Sequence, residues 1–170
     1  MAEALTQAVP VKIKPLAKGH DRRPFSCGVE ALDLYLRRFA RQHADANISR
    51  TYVAVSGSAV HGFYSVAMSG IRRENLPEKY LNRFPNFPLP VARLARLAVD
   101  LNHQRQGLGE LLLADALQRC LRISDSIGML GVIVDAKDEP ARGWYERYEF
   151  ERLSDSPLTL WLPTAAIPRI

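Results

Sequence analysis

Two glycines set between an apolar run and a long amphipathic stretch constrain this chain more than any other feature. The run Leu94 to Val99 reads as a strand, and Gln104-Arg105-Gln106-Gly107-Leu108-Gly109 follows it. From residue 108 to 127, Leu112, Leu113, Ala116, Leu117, Cys120, Ile123 and Ile127 recur at helical spacing, with Arg119 and Arg122 on the other face and Gly128 as a stop. A strand that turns into a helix through Gly-x-Gly lets the backbone approach a ligand closely. Its free N–H groups face outward with the positive end of the helix dipole behind them, which suits a pyrophosphate. A P-loop is excluded, because no Gly-Lys-Ser/Thr occurs. A dinucleotide fingerprint is excluded too, because its third glycine would fall at Leu112. The competing reading is a helix start merely softened by glycine. Arg105 and the length of the helix weigh toward the anion.

The other segments supply an α/β frame. Val11-Lys12-Ile13 reads as an edge strand. Ser26 is a candidate N-cap for a helix with Leu32, Tyr35, Leu36, Phe39, Ala40 and His43 on one face and Arg37, Arg38 and Arg41 on the other. Thr51 to Val55 and His61 to Met68 flank Gly57 as a hairpin, and residues 70–91 read as a proline-rich loop. Gly131 to Val134 is apolar throughout, as in a strand buried on both faces. Glu139 to Tyr148 reads as a short helix and Leu158 to Leu162 as a last strand.

At 170 residues and 47% hydrophobic, the chain has material for one domain spanning 1–170. No uncharged apolar run approaches the roughly 18 residues of a membrane span, and residues 1–20 do not read as a secretory signal. Cys27 and Cys120 stand far apart, which argues against a disulfide framework or a cysteine zinc site and for a reducing cytosol; no metal is expected. Residues 1–103 hold 15 Lys+Arg against 8 Asp+Glu, whereas 104–170 hold 8 against 10. A basic first part is either a solvated face or a surface for a polyanion.

Leu97-Ala98-Val99-Asp100, the Gln104-x-x-Gly107-x-Gly109 loop, the helix behind it, Val132-Ile133-Val134 and Trp144-Tyr145-Glu146-Arg147-Tyr148-Glu149-Phe150 together resemble the acyl-CoA core of GNAT-family N-acetyltransferases. Residues 25–36, Ser49 to Val53, Gly62 to Ala67 and Ala95 to Asp100 resemble more narrowly the GNAT toxins of type II toxin–antitoxin modules. The resemblance implies a mixed central sheet with helices on both faces and a splayed acetyl-CoA cleft. It implies acetyl transfer from acetyl-CoA to the α-amino group of aminoacyl-tRNA, which blocks translation, with an ordinary GNAT enzyme of small-molecule or protein amines as the alternative. A ribbon-helix-helix antitoxin and a homodimer are the implied partners. The family writes glycine where this chain has Glu149.

By that resemblance, Tyr145 protonates the leaving thiolate; a phenol with a reference pKa near 10 is protonated at neutral pH. The residues alone allow a packing aromatic beside Trp144 and Tyr148. Leu97, Ala98 and Val99 are expected near the thioester, the loop Arg105, Gln106, Gly107, Leu108, Gly109 and Glu110 at the pyrophosphate, and Asp135 across the splay. Arg72, Arg73, Arg93 and Arg96 are the candidate tRNA contacts, with Lys79, Arg83 and Arg37 to Arg41 outside them; Arg96 could instead pair with Asp100 or Asp135. None of His20, His43, His61 and His103 sits at a spacing diagnostic of a general base. None is required, because an α-amino group with a pKa near 7.7–8.0 is already partly neutral at pH 7.

Overall fold

A computed structural model describes residues 10–170, so residues 1–9 of the expected single-domain span lie outside the described residues. One seven-stranded sheet runs β1 (Lys12–Pro15), β2 (Arg50–Ser56), β3 (Ala59–Ile71), β4 (Leu89–Val99), β5 (Gly131–Asp135), β7 (Thr159–Pro163) and β6 (Glu151–Arg152) from edge to edge. Every neighbouring pair is antiparallel except β4 and β5. The sheet is therefore mixed, and its single parallel pair lies near the middle. Among the described residues no helix is long and apolar enough to cross a membrane.

Each face of the sheet is covered differently. One face carries α3 (Leu108–Ser124) and α4 (Glu139–Glu146) over a core that includes Tyr64, Leu94, Leu112, Leu113, Val132, Val134 and Leu160. Gly62 lets α3 settle close, because a Cβ there would lie 2.8 Å from Leu112 Cδ1 and 3.1 Å from the Ala98 carbonyl. The other face carries two separate cores. The first, with Phe25, Tyr35, Leu36, Val53 and Phe63, lies under α1 (Glu30–Leu34), a π-helical turn (Tyr35–Phe39) and α2 (Ala40–Asp45). The second, with Leu76, Tyr80, Ile133 and Trp161, lies under the 72–88 segment.

The strand and helix pattern read from sequence is present, with four corrections. Ser26 caps nothing: Val29 is the N-cap of α1, and the Ser26 N–H donates instead to the Asp100 carboxylate at 3.1 Å. Helix α3 stops at Ser124, leaving Ile123 and Ile127 exposed rather than on its buried face. Phe39 is exposed as well, because the wide π turn rotates it out while Tyr35, Leu36 and Ala40 stay buried. The proline-rich loop is shorter than 70–91: β3 continues to Ile71, β4 begins at Leu89, and two 3₁₀ turns, Arg73–Asn75 and Glu78–Tyr80, occupy the middle.

Candidate active site

The cleft begins where the parallel pair separates. Strands β4 and β5 are in register from Val91 opposite Gly131 to Leu94 opposite Val134, and no further. At that point the β3–β4 ladder slips by one residue, with Arg96 opposite Ser65 and Leu94 opposite Val66. Ala95 is thus the extra residue of a bulge, a device that bends and re-aims a strand. Beyond it, the edge of Ala95 to Val99 that faces away from β3 has no strand partner among the described residues. Unpaired backbone N–H and C=O groups along a strand call for a partner. They border a cleft of about 430 Å³.

The floor of the cleft is Ala95 to Val99, and its far wall is Asp135 and Tyr145. The mouth holds Gln104, Arg105, Gly107, Gly109 and Glu110, with Lys137 and Arg147 opposite. Gly107 caps α3 at φ +82°, a left-handed conformation that favours glycine. Arg105 also holds positive φ, at 62°. Gln104 braces the loop, its side-chain amide donating to the Val99 carbonyl at 3.0 Å and the Cys27 carbonyl at 3.2 Å. The first-turn N–H groups of α3 and the positive end of its dipole therefore open onto a rigid rim. Glu110 lies on that rim but is occupied. Its own backbone N–H and the Trp144 indole, which donates at 3.3 Å, hold its carboxyl below the usual range.

Helix α4 places Tyr145. Asp138 caps it by accepting from the Ala141 N–H at 2.9 Å, and Pro140 follows in the first turn. Tyr145 is buried among Trp144 and Phe150, with ring centroids 5.0 and 5.6 Å away. Burial, and after it the charge of Asp135, pushes its phenol well above the usual tyrosine range, so it is protonated at any physiological pH. Glu149 adopts φ +70° and so keeps the left-handed turn expected of a glycine. The cost is about 1–2 kcal/mol of strain. The turn brings the Phe150 N–H back to the Tyr145 carbonyl.

Of the residues expected at the coenzyme, Leu97, Ala98, Val99, Arg105, Gly107, Gly109, Glu110, Asp135 and Tyr145 line the cleft together. Gln106 and Leu108 do not: Gln106 is exposed and turned to the Asn102 carbonyl, and the Leu108 side chain is buried in the core. The cationic candidates divide. Arg93 and Arg96 project from β4 on the two-core face, opposite Ile133 and Ser65. Arg93 is ion-paired with Asp135. Arg96 pairs with neither Asp100 nor Asp135; its guanidinium lies 3.6 Å above the Tyr35 ring at the cleft. Arg72 borders the same shallow depression as Arg93. Arg73 turns inward to the Phe84 carbonyl at 3.1 Å, and Lys79 pairs with Glu151 at 3.0 Å. Sequence reasoning gave no role to Trp144, Gln104, Lys137 or Arg147. Gln104 stood inside the motif, but the other three come to the cleft only through α4 and the segment before it.

Comparison with known proteins gives the arrangement a family. The model of the acetyltransferase (GNAT) domain matches residues 47–152, which carry the cleft floor, the glycine loop and α4. A tRNA-acetylating toxin of Mycobacterium tuberculosis (strain ATCC 25618 / H37Rv) is 37% identical over 147 residues, 86% of this chain and 88% of its own. A tyrosine-to-phenylalanine mutant of KacT superposes with a TM-score of 0.88 at 31% identity, covering 92% of this chain and 96% of that one. AtaT complexed with acetyl-methionyl-tRNAfMet gives 0.87 at 30% identity, covering 93% and 97%. A mutant AtaT bound to the C-terminus of the antitoxin AtaR and acetyl-CoA gives 0.78 at 26%, covering 92% and 95%. A splayed parallel pair, a glycine loop at the start of α3 and a domain match across both place this chain in the GNAT family, as an acetyl-CoA-dependent N-acetyltransferase.

Proposed function

We propose that this chain acts as one domain over residues 1–170 to move an acetyl group from acetyl-CoA to the α-amino group of aminoacyl-tRNA, and so blocks translation as a toxin. One observation carries the reading. The unpaired edge of β4 lies on the same strand as Arg93 and Arg96, which project on the two-core face, Arg96 over the Tyr35 ring at the cleft itself. An acceptor bearing phosphates can therefore reach the thioester from the side opposite the glycine loop. The relatives named above as tRNA-acetylating or tRNA-bound support the same acceptor.

The roles follow from the geometry. The loop from Arg105 to Glu110, with Gly107 and Gly109 at its centre, holds the pyrophosphate. The N–H groups of Leu97 and Val99, which alternate away from β3 on either side of Ala98, hold the thioester oxygen as negative charge develops on it, a stabilisation strongest where water is excluded. The neutral α-amine attacks the carbonyl carbon, the C–S bond breaks, and the Tyr145 hydroxyl gives its proton to sulfur. The amine's surplus proton passes to water, and Tyr145 is reprotonated from solvent. Arg96 at the cleft and Arg72 at the rim receive the phosphates of the acceptor end; Arg93 and Arg73, candidates by sequence, are engaged by Asp135 and by the Phe84 carbonyl. A ribbon-helix-helix antitoxin, a homodimer and action in the cytoplasm complete the proposal; AtaT with the C-terminus of AtaR supports the antitoxin.

The test is mass spectrometry of charged tRNA incubated with labelled acetyl-CoA, for the wild type and for Tyr145→Phe. Acetylated aminoacyl-tRNA is expected with the wild type, and turnover lower by about 10²–10⁴ with the variant, at unchanged coenzyme A affinity. Equal acetylation of free amino acids and charged tRNA would refute the acceptor. Near-normal turnover of the variant would return Tyr145 to a packing role.

A further inference from the structure

On the far side of α1 and the π turn from the cleft lies a second concavity, of about 500 Å³, lined by Lys18, His20, Asp21, Arg22, Arg23, Arg37, Ser58 and a glycine. No aliphatic or aromatic hydrocarbon side chain is among those residues. Its cations are held by backbone: Arg22 donates to the Leu36 carbonyl and Arg37 to the Phe25 carbonyl, both at 3.0 Å. Residues 18–41 hold six Lys and Arg against three carboxylates. Of those three, Asp21 is tied to Arg23 and Asp33 is buried against the Cys27 N–H. Arg38 is exposed and Arg41 half-exposed on the same helical segment, and the charge of Arg41 is felt at Arg22. Lys18, Arg22 and Arg37 share the concavity with one carboxylate, Asp21, already taken by Arg23, so the cations repel one another at a cost that an anion would relieve.

We infer that this concavity is a second phosphate site that receives the sugar–phosphate backbone of the tRNA whose 3′ end occupies the cleft. The inference rests on the aminoacyl-tRNA reading above and adds to it where the body of the RNA runs. The two sites share one wall. Leu32 faces the cleft and Arg37 faces the concavity, five residues on, or about 7.5 Å along a helix. Phosphodiesters need only the cations, and RNA is held at its backbone largely by such groups. An acidic peptide would find no hydrophobic side chain there to anchor its own apolar residues.

The experiment measures acetylation of charged tRNA against salt for the wild type, Lys18→Glu/Arg23→Glu and Asp21→Asn. A minimal acceptor, 3′-aminoacylamido adenosine, serves as the control that lacks the tRNA body. Lys18 and Arg23 are exposed, so the reversal leaves the core intact. Each lost phosphate contact should remove about 0.7–0.9 from the slope of log affinity on log salt. The double variant should therefore flatten the slope by roughly 1.4–1.8 and raise the KM for charged tRNA, with the rate on the minimal acceptor kept. Asp21→Asn removes the carboxylate of the concavity and should lower that KM. An unchanged slope in the double variant, with a wild type that acetylates charged tRNA normally, overturns this site and leaves the acceptor standing. Loss of neutralisation by the antitoxin with no change toward tRNA overturns it also, in favour of a protein partner. A wild type inert on charged tRNA sinks the acceptor itself, and the site with it.

Discussion

Gly109→Ala should move stability and coenzyme affinity in opposite directions. Gly109 is the second residue of α3, and its φ lies outside the left-handed region. A Cβ there would sit 3.5 Å from Trp144 Cζ2 and 3.9 Å from Val99 Cγ2, which is ordinary van der Waals contact. The protein alone therefore accepts the methyl group. Replacing glycine within a helix should stabilise the fold by about 0.5–1 kcal/mol. For a domain of this size that corresponds to a Tm higher by roughly 1–4 °C. The same methyl projects into the cleft beside the first-turn N–H groups. If it displaces one charge-assisted hydrogen bond to the pyrophosphate, the loss is about 1.5–3 kcal/mol, or roughly 10- to 150-fold in Kd. Thermal melts of the free protein and calorimetric titration with acetyl-CoA read the two quantities separately. Unchanged or tighter acetyl-CoA binding would refute the placement of the pyrophosphate. A lower Tm would mean that the fold itself requires this glycine.

Two further outcomes follow from contacts at the cleft. Arg93→Gln takes the cation from the Asp135 carboxylate and leaves it the Thr159 hydroxyl alone, raising the Tyr145 phenol further and slowing turnover; adding Asp135→Asn should restore part of the rate, which a double-mutant cycle of kcat measures. His61 lies against His103 with centroids 3.8 Å apart and rings tilted by 37°, and burial, with the charge of His103 second, lowers its pKa below 6.5. The unfolded chain then binds more protons than the folded one just below pH 6.5, so stability falls as pH drops through that range. Melts at pH 7.5 and 5.5 should show a larger loss for the wild type than for His61→Asn.

Much of this architecture was legible because it is written locally. The apolar run at Gly131 to Val134, the i, i+3, i+4 spacing of Leu112, Leu113, Ala116 and Leu117, and the Gly107-x-Gly109 turn each state a structure within a few residues. Local signals failed where distant partners decide. The Ser26 N–H is claimed by Asp100, 74 residues away, so a good capping residue caps nothing. Arg93, a candidate tRNA contact by sequence, is engaged by Asp135, which lies on another strand and gives no local signal. Strand β6, two residues long, exists only through its pairing with β7. At Glu149 the family's glycine is absent, yet the turn it serves persists. Packing of Tyr145 against Phe150 evidently outweighs the cost of a side chain at positive φ.

The bulge at Ala95 has a consequence for the life of the protein outside catalysis. It leaves an open strand edge in the middle of a sheet, where most folds would close it. A co-substrate seated along that edge and bound only by the folded state would stabilise it by RT ln(1 + [L]/Kd), about 2.7 kcal/mol at a hundredfold excess over Kd. Resistance to unfolding and proteolysis should therefore rise with acetyl-CoA concentration, which melts with and without the co-substrate measure. A starved cell would hold a looser enzyme, easier to degrade, and a well-fed one a tighter enzyme that lasts, with the metabolic state recorded in protein lifetime as well as in reaction rate.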